Sequence, residues 1–287
     1  MSCDVIITAS GATAMRDRAS GEIMHPGTGN AVEPLELYVV PSRLEARLAE
    51  ETSTAESLVL FDVGLGAASN AIAAWRVSES LPTSARRLEI VSFDNDLEPL
   101  RLALAPAHAE SFGFGSGSST LRAASALLEH GRHETTRTTW RLAHGELLDA
   151  LAREPAASAD IVFWDMYSSK TRAELWTPEA FRALRRTCRD GSTLHTYSSA
   201  TSVRSALLLG GFVVGVGGRT GDRAETTIAA ANVEDLERPL DERWLTRLDR
   251  STAAFARGTI ESDEAHAEAL ARVRACPQFA PGRVEGR

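Results

Sequence analysis

The sequence predicts an α/β fold: a doubly wound, mostly parallel seven-stranded sheet with an antiparallel C-terminal hairpin strand. Three observations predict it. From residue 57 onward, short continuous apolar runs such as Leu58-Val59-Leu60-Phe61 alternate with segments of helical periodicity. Three of those runs stop directly at an aspartate, Asp62, Asp94 and Asp165. The last two runs, 212–216 and 226–231, are separated by a glycine- and arginine-bearing turn with no helix between them, which is the grammar of a hairpin.

Each element follows in order. Residues 1–56 read as an N-terminal strand and helix extension packing on the core. It contains a polar, turn-rich stretch from Ser20 to Asn30, a strand over 35–40, and a short helix opened by Pro41-Ser42 with Leu44 and Leu48 on its apolar side. The central unit spans 57–232. Its first strand, 58–61, is apolar throughout, as a parallel strand covered on both faces must be. A helix over 70–77, a strand over 88–93 and a helix over 97–104 come next. Residues 105–138 break the rhythm. The stretch 111–117 mimics a phosphate loop in composition, yet it neither follows a strand nor opens a helix and reads as a flexible connection. A third strand over 140–143 precedes a helix over 146–152, and a fourth over 160–164 stops at Asp165. Pro178 sits in the first turn of a helix over 178–188, where proline is favoured. Asp190-Gly191 ends it, and a strand over 192–197, a helix over 202–209 and the hairpin complete the unit. Residues 233–287 read as a helical C-terminal appendage, with helices over 242–257 and 263–275 and a disordered end from 277.

Composition narrows the function classes. The 287 residues are 43% hydrophobic and 24% charged, enough for one large domain with additions. A net charge of −8 argues against broad, non-specific nucleic-acid binding, which depends on neutralising phosphates. It leaves room for a local basic face: Arg182, Arg185, Arg186 and Arg189 share one predicted helix, although a solvated helix face is the plainer reading. Cys3, Cys188 and Cys276 lie far apart and the seven histidines are scattered, so neither a disulfide framework nor a metal site is expected; His144 and His195 read as packed core residues. No apolar run approaches the roughly 20 residues that cross a bilayer, and no leader pattern opens the chain, so no membrane contact and a cytoplasmic location are expected.

The chemistry gathers where the strands end, because open α/β sheets bind ligands at their carboxyl edge. Asp62-Val63-Gly64-Leu65-Gly66 follows the first strand, and Gly64 and Gly66 let the chain pass close to a ligand without a Cβ in the way. A third glycine, where dinucleotide binders face a pyrophosphate, is replaced by Ala67-Ala68-Ser69, so a cofactor without pyrophosphate is expected. Asp94 ends the second strand, where a carboxylate accepts from both hydroxyls of an adenosine ribose; it is better placed than Asp96. Glu146 either meets the adenine amino group or starts its helix. Asp165, followed by the loop Met166-Tyr167-Ser168-Ser169-Lys170, is placed to orient a nucleophile. The mostly parallel sheet closed by an antiparallel hairpin favours the Rossmann-like S-adenosylmethionine-dependent methyltransferase fold over a plain dinucleotide fold.

Longer motifs sharpen the reading. Thr196-Tyr197-Ser198-Ser199-Ala200-Thr201-Ser202-Val203-Arg204, continuing to Leu207 and Gly210-Gly211-Phe212, is similar to T-Y-S-S-A-G-x-V-R-R-x-L-x-x-A-G-F. Asp165 through Thr177 is similar to D-A-F-S-P-K-K-N-P-E-L-W-T, Val63-Gly64-Leu65-Gly66 with Asn70 to F-G-T-G-x-N, and Ser92-Phe93-Asp94 to a second-strand acid. Gly21-Glu22 through His25, then Gly29 and Glu33, look like G-E-x-x-H and G-A-x-x-E. Over about residues 6–232 the chain therefore resembles the tRNA 5-methylaminomethyl-2-thiouridine methyltransferases, the methyltransferase half of MnmC-type enzymes. No second glycine turn for a flavin occurs, so the stand-alone form without the oxidoreductase half is the form it resembles.

The resemblance implies S-adenosyl-L-methionine as cofactor and tRNA as substrate, the methyl going to the amine of 5-aminomethyl-2-thiouridine at the wobble position. It implies catalytic roles for Asp165, Tyr167 and Tyr197. Cofactor contacts are expected from Glu33, Asp62, Gly64, Gly66, Asn70, Asp94, Glu146 and Asp165, and substrate or RNA contacts from Lys170, Arg204, Arg219 and Arg223. Two departures touch the acceptor side. The family's prolines are Ser169 and Ala173 here, which leaves the loop less rigid, and the basic segment before the last strand, 218–223, carries an interposed Asp222. The rival readings are a methyl- or aminopropyl-transferase acting on a small amine or a protein, and a non-catalytic adenosine-ligand-binding relative. A partner or oligomer contact through 233–287 is also expected.

Overall fold

The computed structural model describes residues 2–9, 11–24, 31–50, 56–219, 225–256 and 262–280; His25, Gly29 and Arg223 lie outside them. The chain opens with an antiparallel hairpin, β1 (Cys3–Ile7) and β2 (Thr13–Asp17), pairing Cys3 with Asp17 and Ile7 with Thr13. The expected strand over 35–40 is instead a π-helical turn, Leu35–Val39. Leu37, Tyr38 and Val39 are buried while Leu35, Glu36 and Val40 face out, so burial there repeats near every fourth residue rather than every second. A short apolar run cannot separate these two states by composition. The helix α1 (Leu44–Ala49) buries Leu44 and Leu48 as expected.

Strands and helices then alternate: β3 (Leu58–Val63), α2 (Ser69–Ser80), β4 (Leu88–Asp94), α3 (Glu98–Leu104), α4 (Ser119–His130), β5 (Arg132–Glu134), β6 (Thr138–His144), α5 (Leu147–Arg153) and β7 (Ala159–Trp164). After these come α6 (Pro178–Thr187), β8 (Cys188–Thr196), α7 (Thr201–Leu209), β9 (Val213–Val216), β10 (Thr227–Ala230), α8 (Glu242–Asp249) and α9 (Asp263–Arg274). The strand order is β5-β6-β4-β3-β7-β8-β10-β9. The five strands β6, β4, β3, β7 and β8 are parallel, and β10 and β9 form the antiparallel hairpin.

The mostly parallel sheet is the expected one, with eight strands rather than seven. The extra strand is β5, which pairs antiparallel with β6 inside the stretch read as a connection. That stretch also holds α4. The Ser118 hydroxyl caps it by accepting from Leu121 N, and Thr120, Ala123, Ala124 and Leu127 form its buried stripe at helical spacing. Two further boundaries differ. β8 starts at Cys188, and Asp190-Gly191 lies in an irregularity where four residues of β8, 189–192, stand opposite one of β7, Asp160, with Gly191 at φ +75°. α8 stops at Asp249 because Ser251 N returns to the Leu248 carbonyl and its hydroxyl takes Ala253 N, turning Ala254 and Phe255 onto the core.

Period-two alternation along β3 divides the interior. Leu58 and Leu60 pack with α2, α3 and α4, whereas Val59, Phe61 and Val63 pack with α5, α6 and α7. The arginines of α6 are largely spent on main-chain carbonyls: Arg185 on Cys188, and Arg186 on Leu151 and Glu154. Residues after β10 close the open edge of the sheet. Val216 N donates to Arg238 O and Leu240 N to Val214 O. The buried Gln278 amide accepts from Val214 N at 2.7 Å and donates to the Val214 and Leu240 carbonyls, each at 3.1 Å. No helix of the described residues is long and apolar enough to cross a membrane.

Candidate active site

At the end of β3 the chain reverses through Gly64 (φ +97°) and Gly66 (φ +49°). A Cβ on Gly64 would lie 2.6 Å from the Asp165 carbonyl oxygen, because Asp165 N is bonded to Val63 O and the two strand exits abut. Only glycine fits there. Gly66 N donates to Asp94 Oδ2 at 3.0 Å, and Asp94 Oδ1 accepts from Asp96 N at 3.0 Å. Asp94 thus ties the glycine turn to the exit of β4. Burial pushes its carboxyl above the ordinary aspartate value, and these backbone N–H groups oppose that rise.

The turns after β3, β4, β6, β7 and β8 line a cavity of about 860 Å³, together with Glu33 and an N-terminal arm containing Asp17, Gly21, Glu22 and Met24. That volume lies in the range of roughly 300–1,000 Å³ that takes a small-molecule ligand. Gly64, Gly66, Glu33, Asp94, Glu146, Asp165, Tyr167, Lys170 and Tyr197 all line it, so most of the expected site residues are brought together. Glu146 precedes α5 without capping it and accepts from Asn95 Nδ2 at 2.8 Å.

Four expected residues lie elsewhere. β3 runs to Val63, one residue past Asp62, so Asp62 sits inside the strand and points between the layers, fully buried. It accepts from Ser92 Oγ at 2.7 Å, and Ser92 Oγ accepts from Trp140 Nε1 at 2.9 Å. Burial pushes the Asp62 carboxyl up to about 7, against the lowering effect of Ser92. Asn70 is buried on the first turn of α2 and reaches the site only through Asp165, donating from Nδ2 to Oδ2 at 2.7 Å. Arg204 is 2% exposed and stays within the fold: it bonds Thr227 Oγ1, the Thr226 carbonyl and Glu225 Oε1 at 3.0–3.1 Å, joining α7 to β10. Its place on the inner face of α7 is what removes it from any ligand. Arg219 is exposed beyond β9 and is not among the cavity-lining residues.

One residue was missed. Tyr38, wholly buried in the π-helical turn, donates its hydroxyl to Asp165 Oδ1 at 2.7 Å. The Asp165 carboxylate is therefore gripped at both oxygens, by Tyr38 and by Asn70. The only signal in the sequence was a tyrosine in a run assigned to the wrong element.

The loop after Asp165 is held closely. Tyr197 OH donates to Met166 O at 3.0 Å and Trp176 Nε1 to Tyr167 O at 2.7 Å. Burial raises the Tyr167 phenol above its ordinary value, so it remains a protonated donor and not a base. Acids dominate the lining, with Glu22, Glu33, Asp94, Glu146 and Asp165 set against Lys170 and Arg172, and Arg172 is paired with Glu174 at 2.6 Å. Such a cavity favours ligands that carry positive charge. The glycine cradle and the carboxylate of Asp94 suit an adenosine-bearing cofactor with a cationic centre.

Residues 121–232 match a family model described as S-adenosyl-L-methionine-dependent methyltransferase. The tRNA 5-methylaminomethyl-2-thiouridine biosynthesis bifunctional protein MnmC of Ralstonia nicotianae is 31% identical over 179 residues, covering 61% of this chain and 27% of that protein. MnmC of Methylibium petroleiphilum is 28% identical over 229 residues, covering 78% and 34%. The chain thus matches about a third or less of the length of these relatives. The crystal structure of MNMC2 from Aquifex aeolicus shares the fold with a TM-score of 0.68 at 24% identity, over 94% of this chain and 82% of that one. Spermidine synthase from Thermotoga maritima shares it at 0.50 and 11% identity, over 93% and 80%. Over residues 121–232 the chain thus matches the S-adenosyl-L-methionine-dependent methyltransferases, and it is related in sequence to the MnmC proteins.

Proposed function

We propose that the chain binds S-adenosyl-L-methionine in this cavity and directs its methyl group to the primary amine of 5-aminomethyl-2-thiouridine at the wobble position of tRNA. The observation that carries the reading is Asp165, held at both oxygens beside the glycine turn and facing a cavity rich in acids. Bound there, the cofactor supplies a methyl carbon made electrophilic by a positively charged sulfur. Gly64 and Gly66 admit it close to the backbone, and the spare lone pairs of Asp94 are available to the ribose hydroxyls.

An alkyl amine is mostly protonated at neutral pH and has no lone pair to attack with. The Asp165 carboxylate attracts that ammonium, takes a hydrogen bond from it, and orients the nitrogen toward the methyl as the ammonium proton passes by way of the carboxylate to solvent. Tyr38 and Asn70 keep the carboxylate from turning away. Tyr167 and Tyr197 shape the acceptor side. Lys170, exposed at the cavity, and Arg219 serve phosphate contacts, which position RNA without reading its sequence.

The test is methyl incorporation into undermodified tRNA by the purified chain, followed by nucleoside analysis. Asp165→Asn should cut turnover by on the order of 100-fold while calorimetry finds cofactor affinity within a few-fold. Equal loss of both would make Asp165 a cofactor or structural residue, and absence of heat with the cofactor and its demethylated product would sink the reading.

A second reading is favoured by the acidic lining and the net charge of −8: transfer of a methyl or aminopropyl group to a small amine or a protein. Incorporation into a metabolite extract but not into tRNA would select it.

A further inference from the structure

Three consecutive residues after Asp165 are each held by a side chain from a different part of the chain. Tyr197, after β8, holds the Met166 carbonyl, and Trp176 holds the Tyr167 carbonyl. These two anchors belong to the interior: Trp176 is 1% exposed and meets Tyr197 edge-on, with ring centroids 5.9 Å apart. The third anchor comes from the N-terminal arm. Glu22 accepts from Ser168 N at 2.8 Å, from Ser168 Oγ at 3.0 Å and from Thr171 Oγ1 at 2.5 Å, across 146 to 149 residues of sequence.

All partners of the Glu22 carboxylate among the described residues are neutral donors of this one loop, so it is committed to the loop and not to an ion pair. Hydrogen bonds to an ionised acceptor are the strong kind. The segment needs such an anchor. Ser169, Lys170, Thr171 and Arg172 include no proline to limit the backbone, and its local main-chain bonds are short-range turns, from Thr171 N and Arg172 N to Ser168 O and from Leu175 N to Arg172 O. Ser168, the residue that organises these turns, is the one that Glu22 grips by both backbone and hydroxyl.

We infer that Glu22 is a positioning residue for the transfer: through Ser168 and Thr171 it fixes the loop that carries Tyr167 and adjoins Asp165, so the N-terminal arm sets the geometry of the acceptor side. The inference rests on the methyl-transfer reading above. Glu22 touches neither reacting group in this scheme. It acts through where the loop stands, and a displacement of about 1 Å in such a segment can cost on the order of 100-fold in rate.

The experiment compares the full chain with Glu22→Ala, Glu22→Gln and Thr171→Val. Glu22→Ala should lower kcat by roughly 30-fold with KM for the cofactor within about threefold. Glu22→Gln, whose carbonyl still accepts from Ser168, should recover most of that loss. Thr171→Val should cost nothing further in the Glu22→Ala background, because the two side chains act as one contact. Hydrogen exchange gives a readout independent of activity: the Ser168 amide should exchange at least about tenfold faster in Glu22→Ala while the amides of β7 keep their protection. Unchanged exchange at Ser168, an unaltered kcat, or strictly additive effects would each overturn the inference. If the unaltered chain bound cofactor yet methylated no acceptor, the methyl-transfer reading would fall, and the exchange comparison would still decide whether Glu22 orders the loop.

Discussion

Asp62 occupies a place where an ionised group is costly: it is buried, with Ser92 as donor to one oxygen and, among the described residues, no hydrogen-bond partner for the other. Its carboxyl is pushed up to about 7 by burial, against an ordinary value of 3.8. Between those two values the folded chain keeps a proton that the unfolded chain has released. The contribution to stability is therefore fully present below pH 3.8 and lost as the pH rises through about 7. Melting temperature should fall between pH 5 and pH 8, and Asp62→Asn should flatten that fall by on the order of 5 °C. Differential scanning of both proteins at the two pH values isolates the group from Asp94, which burial shifts in the same direction. An identical pH slope in the two proteins would count against this account. Asp62 also shows what a single sequence leaves illegible at this scale. Asp94 and Asp165 were correctly placed at strand exits because the apolar runs stop where the strands stop. Asp62 follows an apolar run in the same way, but its strand continues for one more residue, and one residue reverses the direction of a side chain.

At the scale of the element, the parallel strands and most helices were legible because continuous apolar runs and 3.6-residue spacing are strong, local signals. The failures have separate physical origins. Leu37, Tyr38 and Val39 have the composition of a strand, and their helical turn is imposed by packing, with the Tyr38 ring 5.3 Å from that of Phe163 at a 45° tilt. α4 carried a readable stripe at Thr120, Ala123, Ala124 and Leu127, obscured by the glycines that precede it. Arg204 is a failure of another sort. Its motif was recognised, but the helix α7 turns it inward, where it links that helix to β10. Burial lowers its guanidinium from the ordinary value, with Glu225 opposing the change. Arg204→Leu should destabilise the fold by on the order of 2 kcal/mol, leaving Thr227 and the Thr226 carbonyl without their donor. Urea melts would measure that loss. If the proposed tRNA substrate is the true one, affinity for it should stay within about twofold, and a selective loss of RNA binding with unchanged stability would restore the ligand role.

Over the whole molecule, the glycine turn, the arm and the exits of five strands converge on one edge of the sheet, while the segment after β10 covers a different edge. There β9 would end the sheet with bare main-chain groups, and residues 236–240 with Gln278 cover them. Gln278→Ala should lower the melting temperature by about 4 °C without altering cofactor affinity, and light scattering on heating should begin earlier. Unchanged scattering and melting would reduce Gln278 to a bystander. The same arrangement orders events during synthesis. The residues that line the cavity all lie at or before residue 200, yet the hairpin edge is not covered until residue 278 emerges. A ribosome that stalls in between would hold a nascent chain with an adhesive flank, a form that chaperones would be expected to shield.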